Sequence, residues 1–313
     1  MHDNTPLSCM GIPLNLPSPV TRIDSDILRS KNIILDIKRD DLIHPVIQGN
    51  KWRKLKYNLE QARQNQYKTL LTFGGAFSNH IHATAAAGHC FGFNTIGIIR
   101  GEAQTHLNPT LKDATDWGMQ LHYVSRFDYR HKHEAVFIDS LKQQYGDFYL
   151  IPEGGSNTEA IKGCRKIIDE LQHDYDVICA ATGTGATLAG IIAATNSNTR
   201  IIGFPVLKNG QFLYHDIAQH LQQLTGTEHD NWSLQLDYHF GGYAKVSTAL
   251  FEFITSFKQQ FDIKLEPVYT GKMFYGLFDL INKDYFKPGS RILAIHTGGL
   301  QGLRGYDLKF NDE

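Results

Sequence analysis

The stretch DVICAATGTGATLAG (Asp176–Gly190) decides between two very different molecules. It opens a run without charge, Val177 to Thr199, about as long as a membrane-spanning helix. Gly183, Gly185 and Gly190, with several threonines, break that run into a strand, a glycine turn and a helix, as in a soluble α/β protein. The same alternation recurs along the rest of the chain. Strand-type runs are IILDIK (Ile33–Lys38), TLLTFG (Thr69–Gly74), TIGIIR (Thr95–Arg100), QLHYV (Gln120–Val124), DFYLIP (Asp147–Pro152), RIIGFPV (Arg200–Val206) and RILAIHT (Arg291–Thr297). Their continuous apolar character suits buried parallel strands. Helix-type segments lie between them at Ser78–Phe91, Asn108–Gly118, Thr158–Gln172 and Thr187–Asn196. The pattern predicts an α/β fold of right-handed βαβ units, its open, twisted, mostly parallel sheets flanked by helices. PEGGSN (Pro152–Asn157) is the candidate crossover between two lobes, because glycine permits unusual backbone angles.

Length and composition fit that reading. A chain of 313 residues exceeds what one core usually supports, about 250–300 residues, so two lobes are expected. Lys+Arg number 31 and Asp+Glu 32, a formal charge of -1, which points to neither a nucleic-acid nor an anionic membrane partner. The cysteines at 9, 90, 164 and 179 form no CxxC pair, and reduced thiols in a cytoplasmic protein are expected. The opening MHDNTPLSCMGIPLNLPSP lacks the basic and apolar regions of a secretory signal.

Five segments can carry chemistry. In QGNKWRK (Gln48–Lys54), Lys51 follows Gly49 and Asn50 at a loop-to-helix junction, with Asn50 a candidate cap. The positive end of a helix disfavours an ammonium, and a neutral amine is what condensation with an aldehyde needs. A solvated basic face, shared with Arg53, Lys54 and Lys56, is the plainer alternative. In FGGAFSNH (Phe73–His80), two glycines let the backbone turn, and Ser78 and Asn79 stand where a helix begins. That arrangement suits a carboxylate, or simply a helix cap. In TGTGATLAG (Thr182–Gly190), backbone N–H groups at a helix start, with the Thr184 and Thr187 hydroxyls, form a phosphate cradle. It is no Walker motif and a poor dinucleotide fingerprint, since the next strand lacks the ribose-binding acid. PVYTGK (Pro267–Lys272) and HTGG (His296–Gly299) place Tyr269, Thr270, His296 and Thr297 where ligands collect beyond strand ends; buried packing would explain them equally. The pairs His80–His82 and His131–His133 lack a third ligand at recognisable spacing, and there is no HExxH, so no metal is expected. No GxSxG elbow occurs either.

In this order the segments resemble the pyridoxal-phosphate enzymes of the tryptophan synthase β-like fold (fold type II). The closer resemblance is to the 1-aminocyclopropane-1-carboxylate deaminase / D-cysteine desulfhydrase family, from Ile33 to Gly305. KRDD (Lys38–Asp41) followed by GNKxRKL (Gly49–Leu55) carries it most specifically. The resemblance implies pyridoxal 5'-phosphate held covalently by Lys51. Lys54, Asn79, the turn Thr184, Gly185, Ala186 and Thr187, and also Thr270 and Thr297, would bind that cofactor. Ser78, Asn79, His80, Tyr269 and His296 would meet the substrate, with Lys51, Ser78 and Tyr269 as catalytic groups. It further implies a homodimer, a larger cofactor-binding lobe from residues 1–50 plus 157–313, and a smaller lobe from 51–156.

Deaminases of the cyclopropane type carry glutamate and leucine where this chain has Thr270 and Thr297, which resemble the desulfhydrase pair. A carboxylate near the pyridine nitrogen strengthens the electron sink, and a hydroxyl leaves it weaker. The expectation is therefore a lyase acting on a small amino acid such as D-cysteine, giving a 2-oxo acid, ammonia and sulfide. The alternatives are 1-aminocyclopropane-1-carboxylate deamination, a non-catalytic pyridoxal-phosphate or ligand-binding homologue, and a nicotinamide-dependent oxidoreductase. HPVIQGNKW (His44–Trp52), with bulky Trp52 beside the lysine, and GGYAK (Gly241–Lys245) depart from the family's commoner forms.

Overall fold

The computed structural model describes residues 8–103 and 105–306; part of the opening stretch read for a signal, residues 1–7, lies outside them. The eight strand-type runs all form strands, and they divide between two sheets. The six-stranded sheet has the order β11 (Trp232–Leu234), β10 (Arg200–Pro205), β9 (Val177–Thr182), β12 (Arg291–Ile295), β4 (Ile34–Lys38), β3 (Val20–Ile23). Only β3, at the edge, runs antiparallel within it. The four-stranded sheet is wholly parallel in the order β7 (Met119–Val124), β6 (Asn94–Arg100), β5 (Thr69–Gly74), β8 (Tyr149–Ile151). A small hairpin, β1 (Ser8–Cys9) and β2 (Ile12–Pro13), precedes both.

Helices cover the sheet faces. They are α1 (Asp26–Ser30), α2 (Asn50–Gln64), α3 (Asn79–Phe91), α4 (Pro109–Asp116), α5 (Ala135–Tyr145), α6 (Thr158–Asp169), α7 (Ala186–Ala194), α8 (Phe212–Thr225), α9 (Thr248–Phe261) and α10 (Thr270–Asn282). On the larger sheet, α9 and α10 seal one face through Leu250, Phe257, Phe274 and Leu277. The other face is closed by α6, α7 and α8 through Ile161, Ile191, Leu213 and Ile217. Burial on both faces is why these strands read as unbroken apolar runs. Among the described residues no helix is long and apolar enough to cross a membrane, and α7 ends after nine residues.

One expectation is corrected. Cys9 and Cys90 are joined by a disulfide, while Cys164 and Cys179 are free and buried. The hairpin carrying Cys9 packs into the same apolar cluster as Trp52, Ala83 and Ala87, which brings it to the end of α3. Cysteines 81 residues apart cannot reveal this by spacing.

Candidate active site

The loops that follow β9 and β12, the start of α2 and the start of α3 converge on one cleft. It is lined by Asn50, Lys51, Lys54, Asn79, Gly154, the turn Thr182–Gly185, Thr187, Tyr269 and Thr297–Gly299, among others. About 560 Å³ of it is free of protein atoms, counting solvent at the mouth. Loops beyond the carboxyl ends of parallel strands are where such folds bind ligands.

Lys51 reaches the cleft because Gly49 lets the chain pass under β12. Gly49 has φ +59°, and a Cβ there would lie 1.9 Å from the Thr297 carbonyl oxygen. Gly49, not Asn50, is the N-cap of α2; Asn50 instead donates its side-chain amide to the Thr187 hydroxyl at 3.0 Å. Gly49→Ala is expected to cost about 2 kcal/mol or more from left-handed strain and collision together. Thermal unfolding measures it, and an unchanged midpoint contradicts the close approach.

The Lys51 amine is half-buried, and it makes no hydrogen bond to another described residue. Its pKa is lowered to about 7, chiefly by burial and then by the Lys54 charge, against opposing pulls from Cys164 and Glu266. Lys54, one turn on, donates to the Gly154 carbonyl at 2.7 Å, and burial lowers its pKa as well.

The glycine turn joins β9 to α7, the strand-turn-helix order expected of it. Gly185 caps α7 with φ +82°, leaving the first-turn N–H groups without partners inside the helix. Ala186 begins α7 and contributes at most its backbone, since its side chain is wholly buried. Gly183 must be small: a Cβ there would lie 3.0 Å from the Tyr269 ring. Burial raises the Tyr269 hydroxyl well above its ordinary pKa, so it stays protonated. Lys51, Lys54, Asn79, Thr184, Gly185, Thr187, Tyr269 and Thr297 are thus brought to one cavity.

Four other candidates stand elsewhere. Ser78 Oγ accepts the N–H groups of His80 and Ile81, so its hydroxyl caps α3 beside the cleft wall. His80 is buried against Lys54 and Gly155 with neither ring nitrogen bonded. Burial, with Lys51 and Lys54 nearby, holds it well below its ordinary pKa and therefore neutral. His296 donates from Nε2 to the Lys264 carbonyl at 2.7 Å and accepts Gly298 N–H at Nδ1, which fixes the turn carrying Thr297. Thr270 is enclosed, its hydroxyl spent on Glu266.

Glu266 itself escaped the sequence reading. Its buried carboxylate accepts N–H groups from Val268 and Tyr269 at 2.8 Å and Thr270 at 2.6 Å. Burial raises its pKa while those bonds oppose the rise. An acid just ahead of a helix start was the available signal. Gln301 was also missed; it donates to Asn79 Oδ1 and accepts from the Thr110 hydroxyl, fixing Asn79.

These residues fit a small phosphorylated aldehyde. The α7 start offers unpaired N–H donors to an anion, and the same cleft holds an amine whose pKa is lowered to about 7, so a large share of it is neutral at that pH. Among the described residues, no group of His, Cys, Asp and Glu could hold a metal.

Comparison with known proteins follows the same line. The family of pyridoxal-phosphate dependent enzymes matches residues 15–298. A Pyrococcus furiosus protein provisionally named 1-aminocyclopropane-1-carboxylate deaminase is 32% identical over 287 residues, covering 87% of each chain. The mitochondrial bifunctional D-cysteine desulfhydrase/1-aminocyclopropane-1-carboxylate deaminase of Arabidopsis thaliana is 30% identical, covering 92% of this chain and 78% of its own. The crystal structure of an ACC deaminase homologue superposes with a TM-score of 0.81 at 29% identity, covering 94% of this chain and 92% of that one.

Proposed function

The chain belongs to the pyridoxal-phosphate dependent enzymes, and from that premise we propose that it deaminates 1-aminocyclopropane-1-carboxylate or a close analogue. At the coarser level it is a lyase/deaminase for a small amino acid within the family it resembles. The observation that carries the reading is the Lys51 amine, without a hydrogen-bond partner among the described residues, sharing a cleft with the start of α7.

Lys51 would hold the cofactor through its amine, and Thr184, Gly185 and Thr187 its phosphate. Bound pyridoxal phosphate supplies an electron sink for charge developing on the substrate. The protein's residues do the rest. Asn79, fixed by Gln301, offers its amide to the substrate carboxylate beside the start of α3. Lys51, when displaced, is the base that takes a proton from carbon. Tyr269 keeps its proton and can deliver it across the cleft.

For the cyclopropane substrate, water is added and the ring opened, giving 2-oxobutyrate and ammonia. For D-cysteine, water is added and the carbon–sulfur bond broken, giving pyruvate, ammonia and hydrogen sulfide. The relatives' names favour the first. The desulfhydrase expectation rested on Thr270 and Thr297; Thr270 is engaged with the Glu266 carboxylate, which weakens that argument. Thr297 does line the cleft, and the Arabidopsis relative is bifunctional, so D-cysteine remains the second reading.

The test is a parallel assay of the holoenzyme with both substrates. Release of 2-oxobutyrate supports the proposal, sulfide with pyruvate supports the second reading, and neither product with cofactor bound favours a non-catalytic binder. The pH dependence of cofactor capture is a separate expectation. Capture needs the neutral amine, so its rate should rise as pH increases and level off above about 7. Stopped-flow absorbance follows it, and a midpoint near the ordinary lysine value contradicts the environment described. A homodimer is part of the proposal, and sedimentation mass decides it.

A further inference from the structure

The GGYAK turn, which departs from the family pattern, rests on a buried lysine that the reaction does not use. Lys272 lies in the first turn of α10, whose start carries Tyr269. Its side chain is buried, and Nζ donates to two backbone carbonyls, His239 at 2.9 Å and Gly242 at 2.7 Å. Those carbonyls converge because the turn is contorted. Positive φ angles occur at Phe240, Gly241, Gly242 and Ala244 (54°, 90°, 119° and 56°). For Phe240 and Ala244 that conformation is strained and persists only where surroundings enforce it. The turn sets Tyr243 edge-on to Tyr269 with ring centroids 6.0 Å apart, and Tyr243 remains partly exposed to solvent.

We propose that Lys272 is a positioning residue for substrate binding: by holding the His239 and Gly242 carbonyls it fixes the strained turn that presents Tyr243 against Tyr269. Without the ammonium, two carbonyls lose their donor and the turn has less reason to keep its left-handed residues. Tyr243 then leaves Tyr269, and the substrate end of the cleft widens. The inference rests on the reading of this cleft as an amino-acid site.

Three holoenzyme variants test it: Lys272→Met, Tyr243→Ala and the double variant. Hydrogen exchange by mass spectrometry should show amides 239–245 of Lys272→Met exchanging about ten-fold faster, with the rest of α10 unchanged. Both single variants should raise KM for the turned-over amino acid by about ten-fold with a smaller change in kcat, and the double variant should be no worse than either. Unchanged exchange in the turn, or single effects that multiply, overturns the proposal. Should Lys272→Met fail to fold, Lys272→Gln keeps one donor and must show the same localised exchange; loss of fold in both also overturns it. The exchange measurement needs no substrate, so absence of turnover defeats the functional reading while still leaving this inference decided.

Discussion

Lys51→Ala should abolish covalent cofactor attachment and lower lyase turnover by about 10³-fold or more, since it removes both the anchoring amine and the base. The fold should survive, because Lys51 is half-buried and makes no hydrogen bond to a described residue. Lys54→Ala is the informative control. Lys54 is tied to the Gly154 carbonyl, so its loss should weaken cofactor binding without preventing attachment at Lys51. Absorbance of the holoenzyme together with 2-oxo acid release separates the two. Equal defects in both variants would contradict the division of roles.

Arg53→Ala should produce the largest loss of stability, about 3–5 kcal/mol, because it strips a buried charge from two carboxylates at once. The guanidinium pairs with Asp40 at 2.9 and 3.1 Å and with Glu170 at 2.8 Å. Lys38 adds a bond to Glu170 at 2.8 Å and the Ser18 N–H another at 3.1 Å, so Glu170 keeps two partners while Asp40, among the described residues, keeps the Ser18 hydroxyl. The cluster joins β4, α2 and α6, and it fixes α2 two residues after Lys51. Burial pushes the Glu170 carboxyl up, but Arg53 and Lys38 together overcome this and hold it below its ordinary value. A carboxyl with a depressed folded pKa stabilises the protein above its unfolded pKa. That contribution is lost as pH falls through the folded value. In Arg53→Ala the Glu170 share of acid resistance should therefore shrink, and acid unfolding should begin at a higher pH. Urea unfolding at neutral and acid pH measures both effects; a difference under about 1 kcal/mol would contradict the network's weight.

The sheet core was legible because a strand buried on both faces has little choice of residue. TLLTFG, for example, forms β5 over the same residues that its apolar run marked. Edge strands escaped for the converse reason. VTRI, now β3, is half-exposed along an antiparallel edge, so it lacks a continuous apolar run. WSL, now β11, has only three residues. In the site, glycine turns announced themselves, since Gly49 and Gly185 occupy backbone conformations that other residues rarely adopt. What sequence could not supply was direction. Ser78, Thr270 and His296 are close to the cleft in the chain, yet each turns its polar atoms to a structural partner. Gln301 gains its importance from a long-range contact with Asn79, which no short motif records, whereas the Glu266 bonds stay within its own turn, where an acid ahead of a helix start was the signal.

The attachment point tests the account most directly. Holoenzyme reduced with borohydride, digested and mapped by mass spectrometry should carry a pyridoxyl group on Lys51 alone. The same group on Lys54 or another lysine, or on none, would contradict the assignment of the cleft.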